Sequence, residues 1–222
     1  KIRFHHKDPK EDIKVVEAVR KVVGDQLEIM VDANQGWKMP WDTEIPWDYE
    51  RARQVARALE ELDVYWLEEP LPHHDFRGLA RLRRESSVRI AGGEMNRRWH
   101  DFREMDTLGS LDVYQPDVVL AGGITGVKKI AARVQKNDAW FSPHTWSNGI
   151  GLMANLHLAC AVSKCPFLEF PFDPPAWTTE RRDYILQPQD RLMIDTDGYL
   201  QVPEKPGLGC ELDEEALARY AI

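Results

Sequence analysis

Val31-Asp32-Ala33-Asn34-Gln35-Gly36-Trp37 is an apolar run that stops at a carboxylate and turns. The pattern recurs twice. Tyr65-Trp66-Leu67 ends in Glu68-Glu69-Pro70, and Val88-Arg89-Ile90-Ala91-Gly92-Gly93 ends in Glu94. As neighbouring parallel strands, these segments would bring Asp32, Glu68 and Glu94 to one rim, where uncompensated carboxylates repel unless a cation stands among them. Such oxygen donors suit a hard divalent ion such as Mg²⁺. Glu68 and Glu69 are adjacent, so one of them points inward. Glu68 is assigned as the ligand and Glu69 to a supporting or surface position.

The segments around these three continue the alternation. Ile2 to His5 reads as a strand, followed by Asp8-Pro9-Lys10-Glu11, the residue types that start a helix. Ile13, Val16, Val19 and Val22 give that helix one apolar stripe, and Gly24 is placed to end it in a left-handed conformation. Residues 33–48 hold Trp37, Trp41 and Trp47 with Pro40 and Pro46, which reads as a lid or rim insertion near the site. Helices are expected from Asp48 with Ala52, Val55, Leu59 and Leu62, from Phe76 to Glu85, from Arg98 to Leu108, from Val127 to Gln135 and from Gly151 to Val162. Strands are expected at Val113 to Asp117, Ala139 to Ser142 and Phe167-Leu168-Glu169.

Seven strands, the first six each followed by a helix, argue for a parallel sheet with helices outside it. Polar residues end strand after strand, as expected when every C-terminal end faces one site, so the expected fold is an α/β, TIM-like (β/α) barrel spanning residues 1–173. An open doubly wound sheet is the competing architecture. Eight strands would need one more, and the chain opens on Lys1-Ile2-Arg3-Phe4, so the missing first strand is expected upstream. Residues 174–222 are rich in turn signals, with a short helix at Leu212 to Tyr220, and read as a tail packed on the barrel.

Over 222 residues the formal charge is −8 and no basic run exceeds two residues, which argues against nucleic acid as a partner. Cys160, Cys165 and Cys210 lack metal-type spacing, and no secretory or membrane-length apolar stretch occurs, which fits a reducing cytoplasm. Cys160 and Cys165 read as packed residues.

Further polar residues stand at strand ends. Asp117 follows Gln115-Pro116, and the next strand leads to Pro143-His144. An Asp bonded to one imidazole nitrogen fixes the tautomer and raises the basicity of the other, making His144 a candidate acid or base. Glu169 could accept a hydrogen bond, or donate one to a developing oxyanion if protonated. Lys1 and Arg3, two apart on a strand, face the same side. A cation nearby could lower the Lys1 pKa enough for it to act as a base, whereas a guanidinium keeps its proton. Gly122-Gly123-Ile124-Thr125-Gly126 reads as a turn into a helix rather than a phosphate cradle.

Taken together, the stretches 31–37, Trp66-Leu67-Glu68-Glu69-Pro70, Gly92-Gly93-Glu94, Gln115-Pro116-Asp117 with Gly122 to Gly126, and Pro143-His144 resemble the barrel domain of the enolase superfamily, mandelate racemase subgroup. The resemblance implies that Asp32, Glu68 and Glu94 bind Mg²⁺, that Asp117 and His144 form an acid–base dyad, and that Glu169 supports an enolate. It also implies an N-terminal capping domain, on which the tail would pack as well, and a homo-oligomeric assembly. The family reaction begins with removal of the proton alpha to a carboxylate. Arg3 stands where the second lysine of the family's two-lysine pattern would be, which weakens racemisation. Dehydration of a sugar acid to a 2-keto-3-deoxy acid becomes the expected reaction, with Arg3 binding carboxylate or stabilising charge and Lys1 assisting. Asn34 and His74 are expected to contact substrate. A racemase or epimerase of the same family, or a catalytically idle metal-binding barrel, are the alternatives.

Overall fold

The computed structural model describes residues 1–220. Six strands, β1 (Ile2–Arg3), β2 (Met30–Asp32), β3 (Trp66–Glu68), β4 (Arg89–Gly92), β5 (Val113–Tyr114) and β6 (Trp140–Phe141), form one sheet in the order β1-β2-β3-β4-β5-β6, with every pair parallel. A helix follows each: α1 (Pro9–Val23), α2 (Tyr49–Glu60), α3 (Phe76–Glu85), α4 (Trp99–Leu108), α5 (Gly123–Val134) and α6 (Gly149–Cys160). The strands are sequential neighbours. A doubly wound sheet would reverse its order at a switch point, so the barrel-type winding holds and the alternative fails.

Strand register explains where the carboxylates lie. Met30, Trp66 and Arg89 are partners across the sheet, as are Val31, Leu67 and Ile90, and then Asp32, Glu68 and Ala91. Side chains alternate faces along a strand. The outer row, Val31, Leu67 and Ile90, is fully buried in the main core with helix residues such as Val55, Leu59 and Leu82. On the inner face Trp66, Ala91 and Val113 cluster with Met30 and Trp140. Asp32 and Glu68 follow Met30 and Trp66 on that face, one step nearer the C-terminal rim.

Capping fits the sequence. Asp8 accepts from Lys10 N at the start of α1, Asp48 from Arg51 N at α2, and Asp75 from Gly78 N at α3. Asn148 accepts from Gly151 N, so α6 begins two residues before its expected start. A short α7 (Thr179–Arg182) and α8 (Glu214–Tyr220) lie in the tail, whose Leu186, Leu192, Leu200 and Val202 pack with Leu152, Met153 and Leu156 of α6.

Several expectations need correction. Phe167-Leu168-Glu169 joins no ladder among the described residues: beside it, the Phe141 N–H of β6 donates to Lys164 O (2.9 Å) and Ser142 Oγ, just past β6, to Phe167 O (2.9 Å). Val22 is 85% exposed, because it lies off the helix face carrying Ile13, Val16, Val19 and Val23, which is the face that packs on the core. Gly24 has positive φ (+53°) but extended ψ (−135°), so it is not left-handed helical. Cys160 is exposed, and all three cysteines are free thiols.

Because Leu67 is fully buried between strand and helices, Leu67→Ala should cost about 2–5 kcal/mol. Val22→Ala, at an exposed site, should stay within roughly 0.5 kcal/mol. Urea denaturation of both variants checks the pair.

Candidate active site

The rim of the sheet gathers charge of both signs. Lys1 Nζ lies 2.6 Å from Glu68 Oε1, 2.9 Å from Glu169 Oε1 and 3.5 Å from Asp32 Oδ2. Glu68 Oε2 accepts from Gln115 Nε2 (2.9 Å) and Trp66 Nε1 (3.2 Å). Asp32 Oδ1 accepts the backbone N–H of Asn34 (3.0 Å). Glu94 Oε1 accepts from Trp37 Nε1 (2.9 Å). Asp32, Glu68 and Glu94 are all buried. Burial and the neighbouring carboxylates push the pKa of each upward, while the Lys1 ammonium pulls each back.

The second group is the dyad. His144 Nδ1 sits 2.9 Å from Asp117 Oδ2, and its Nε2 faces Glu94 Oε2 (3.6 Å) and Glu169 Oε2 (3.9 Å). Asp117 Oδ1 in turn accepts from Asn155 Nδ2 (3.1 Å), and Asn155 Oδ1 accepts the N–H of Val118 (3.1 Å). Burial alone would lower the His144 pKa, but the bond to Asp117 and the Glu94 and Glu169 carboxylates lift it to about 9.

The neighbouring charges bear on two protonation states. Burial opposes the Lys1 charge, yet Glu68, Glu169 and Asp32 together raise its pKa well above the ordinary lysine value, which favours the ammonium form beside these carboxylates. Burial likewise works against the Glu169 charge, but Lys1, His144 and the Thr145 N–H (2.7 Å) lower its pKa, which favours the carboxylate and its role as an acceptor.

Of the two places expected for Glu69, the surface one is excluded: the residue is 3% exposed, and neither oxygen of its carboxylate has a hydrogen-bond partner. Its φ of +46° takes it out of the strand alternation, and it fits only because Gly36 has no side chain: a Cβ there would lie 2.1 Å from Glu69 Oε1. Burial, then the charges of Glu94, Asp32 and Glu68, drive its pKa to about 10.

Arg3 lies over the Trp146 ring at 5.3 Å, and Trp146 stacks on Trp177. A cavity of about 440 Å³, lined by Lys1, Arg3, Gln115, Trp146 and Glu169 among others, opens between β1 and the 167–173 segment. Of the expected substrate contacts, Asn34 turns its amide onto its own loop, donating to Asp32 O (3.3 Å), and His74 is exposed and outside the cavity. His73 rather than His74 ties the loops together, its Nδ1 lying 2.7 Å from Gly36 O. Of the three tryptophans of the 33–48 loop, only Trp37 reaches a carboxylate; Trp47 is buried against Phe4 and Trp41 is 72% exposed.

Gln115, Trp37 and Asn155 escaped sequence reasoning as site residues. Asn155 had a visible signal, the one amide in the otherwise apolar helix Gly-Ile-Gly-Leu-Met-Ala-Asn-Leu.

These shifts predict pH-dependent stability in the metal-free chain. A Glu69 pKa raised from 4.5 to about 10 means its stabilising contribution is full below pH 4.5 and is lost as pH rises toward 10. Glu69→Gln removes that titration, so its stability relative to wild type should grow across the window, by on the order of a few kcal/mol. His144, raised from 6.5 to about 9, stabilises fully below pH 6.5, and this is lost as pH climbs through 9. The wild-type advantage over His144→Asn should therefore shrink over that range, as read by denaturant titration at a series of pH values.

Comparison with known proteins agrees with this geometry. The family model described as "Enolase C-terminal domain-like" matches residues 1–216. The chain is 34% identical over 222 residues to a 3,6-anhydro-alpha-L-galactonate cycloisomerase of Streptomyces coelicolor, covering 100% of this chain and 55% of the relative. It is 32% identical over 220 residues to an arabinonate dehydratase of Saccharolobus solfataricus, covering 99% and 54%. The crystal structure of L-talarate dehydratase from Polaromonas sp. JS666, complexed with Mg and L-glucarate, superposes with a TM-score of 0.81 at 31% identity, covering 97% of this chain and 53% of that one. The chain thus spans about half the length of the curated relatives it matches. Fold, register and sequence converge on one conclusion: the chain belongs to the enolase C-terminal domain-like family, in the company of mandelate racemase-like acid-sugar enzymes.

Proposed function

We propose that this chain carries the active site of a Mg²⁺-dependent lyase that removes the proton alpha to the carboxylate of a sugar acid and expels its beta-hydroxyl as water. One observation carries the reading: His144, bonded through Nδ1 to Asp117, turns Nε2 to the interior beside Glu94 and Glu169, while the guanidinium of Arg3 stands where an opposite-face base would have to be. Racemisation would need a second base on the opposite face. Elimination needs only one group, acting first as base and then as acid.

The donor set supports the metal. Asp32, Glu68 and Glu94 are buried, offer only oxygen, and mutually raise one another's pKa, which a hard divalent cation relieves. Bound there, Mg²⁺ would supply Lewis-acid stabilisation of the negative charge that develops on the substrate carboxylate. A cation on Glu94 would cancel one of the charges that raise the His144 pKa and so favour the neutral imidazole, which takes the alpha proton at Nε2 while Asp117, itself held by Asn155, steadies the imidazolium through Nδ1. That imidazolium then returns its proton to the departing beta-oxygen, so water leaves and the enol rearranges to the 2-keto acid. Lys1 offers a fixed positive charge beside the developing oxyanion, and Glu169 holds Lys1 in place. Arg3, braced on Trp146, is positioned in the cavity wall for a substrate carboxylate.

The resemblance to a cycloisomerase supports a second reading, in which the expelled beta-oxygen belongs to a ring of the substrate and stays attached to the product. The proton chemistry at His144 is the same.

The test is a screen of the intact protein with Mg²⁺ against aldonic, aldaric and anhydro-sugar acids, scored for 2-keto acid formation. His144→Asn should lose roughly 10²–10⁴-fold in turnover while retaining Mg²⁺ binding. Absence of any 2-keto product would overturn the lyase reading, and alpha-proton exchange in D₂O without elimination would move the assignment to epimerisation.

A further inference from the structure

The loop joining β1 to α1 carries two adjacent imidazoles and a buried carboxylate that the proton chemistry does not use. His5 and His6 lie just beyond β1, and Asp12 lies early in α1. Asp12 is only 2% exposed, and a carboxylate so buried requires partners. It finds them in this loop: Oδ1 accepts the His5 N–H (3.2 Å), Oδ2 accepts the His6 N–H (3.0 Å), and His6 Nδ1 lies 2.7 Å from Oδ1. His5 Nδ1 stands 3.7 Å from the same oxygen, and the two ring centroids are 4.1 Å apart. Among the described residues, this is the one trio of His, Cys, Asp or Glu side chains whose ligand atoms all fall within 4.8 Å of one another.

Those separations are close to what one ion demands. Ligands at about 2.0–2.2 Å from a tetrahedral centre stand roughly 3.3–3.6 Å apart. Asp12 is a fixed anchor, held by two backbone donors. The side chains of His5 and His6 are 71% and 41% exposed, so both rings can rotate by the small amounts needed, and a fourth position opens to water. Two imidazole nitrogens and one carboxylate oxygen also differ in kind from the all-oxygen set at the rim. They favour a borderline ion such as Zn²⁺, whereas Mg²⁺ prefers oxygen ligands and gives up water reluctantly.

We propose that His5, His6 and Asp12 form a second cation site, for a divalent ion of the Zn²⁺ type, separate from the carboxylate site. The ion takes the place of the proton shared between His6 Nδ1 and Asp12, and joins the loop that leaves Arg3 to the start of α1. That loop is also braced from α2, where Arg51 Nη2 donates to Lys7 O (2.9 Å).

The experiment is a calorimetric titration of Zn²⁺ into the full chain held in excess Mg²⁺, repeated with His5→Ala, His6→Ala and the double variant. Both positions are exposed enough for the fold to survive, which circular dichroism verifies. Support is one equivalent of Zn²⁺ beyond what the double variant takes up, with each single variant binding it roughly tenfold or more weakly, since loss even of a residue that only orients a ligand costs that much. Co²⁺ provides a second readout, as visible absorption bands present in the wild type and absent from the double variant. The proposal fails if the wild type takes up no additional Zn²⁺, or if the double variant binds the same number of ions with the same affinity.

Discussion

The ammonium of Lys1 is what makes the rim of this sheet tolerable. Glu68, Glu169 and Asp32 converge within 3.5 Å of one nitrogen, and Glu94 and Glu69 crowd behind them. Buried carboxylates cannot all remain ionised in so small a volume without a cation among them. The protein divides the problem. Glu169 keeps its charge beside Lys1 and His144, Glu69 gives its charge up, and the remaining three are left in tension that a divalent ion would resolve. The charge on His144 belongs to the same balance, because Glu94 and Glu169 are among the groups that raise its pKa.

How much of this was legible in the sequence depends on how regular the backbone is at each position. Asp32 and Glu68 end strands, where a period of two carries a side chain predictably to one face, and the dyad of Asp117 and His144 lies at the ends of neighbouring strands β5 and β6. The inner and outer rows of the sheet, and most helix starts, follow from the same periodicity and from capping residues. The choice between a supporting and a surface place for Glu69 was not legible, because its positive φ breaks the alternation and its pocket depends on a missing side chain at Gly36, 33 positions away in the sequence. The protonation states of Lys1 and Glu169 depend on a count of neighbouring charges, which only the assembled rim provides. The segment 167–169 has the residue types of a strand, yet a ladder requires partners, and partners are a property of the fold.

The supporting residues show a related limit. Gln115 and Trp37 each donate one hydrogen bond to a carboxylate, and Asn155 bridges the β5–α5 turn to Asp117. Each comes from an element distant in sequence from the group it supports. An amide in an apolar helix announces that it has a partner without saying which one.

The pairing of β1 with β2 has a consequence for the charge balance. Ile2 and Arg3 lie in register with Val31 and Asp32, and the Phe4 N–H donates to Asp32 O (2.8 Å), so the ladder that holds Asp32 also fixes where the Lys1 ammonium reaches the rim. A shift of β1 against β2 would carry Lys1 away from the carboxylates, which would then take up protons from solution more readily. The register of this pair and the protonation of the rim are therefore one linked equilibrium: anything that clamps β1 to β2 favours the charged form of the site.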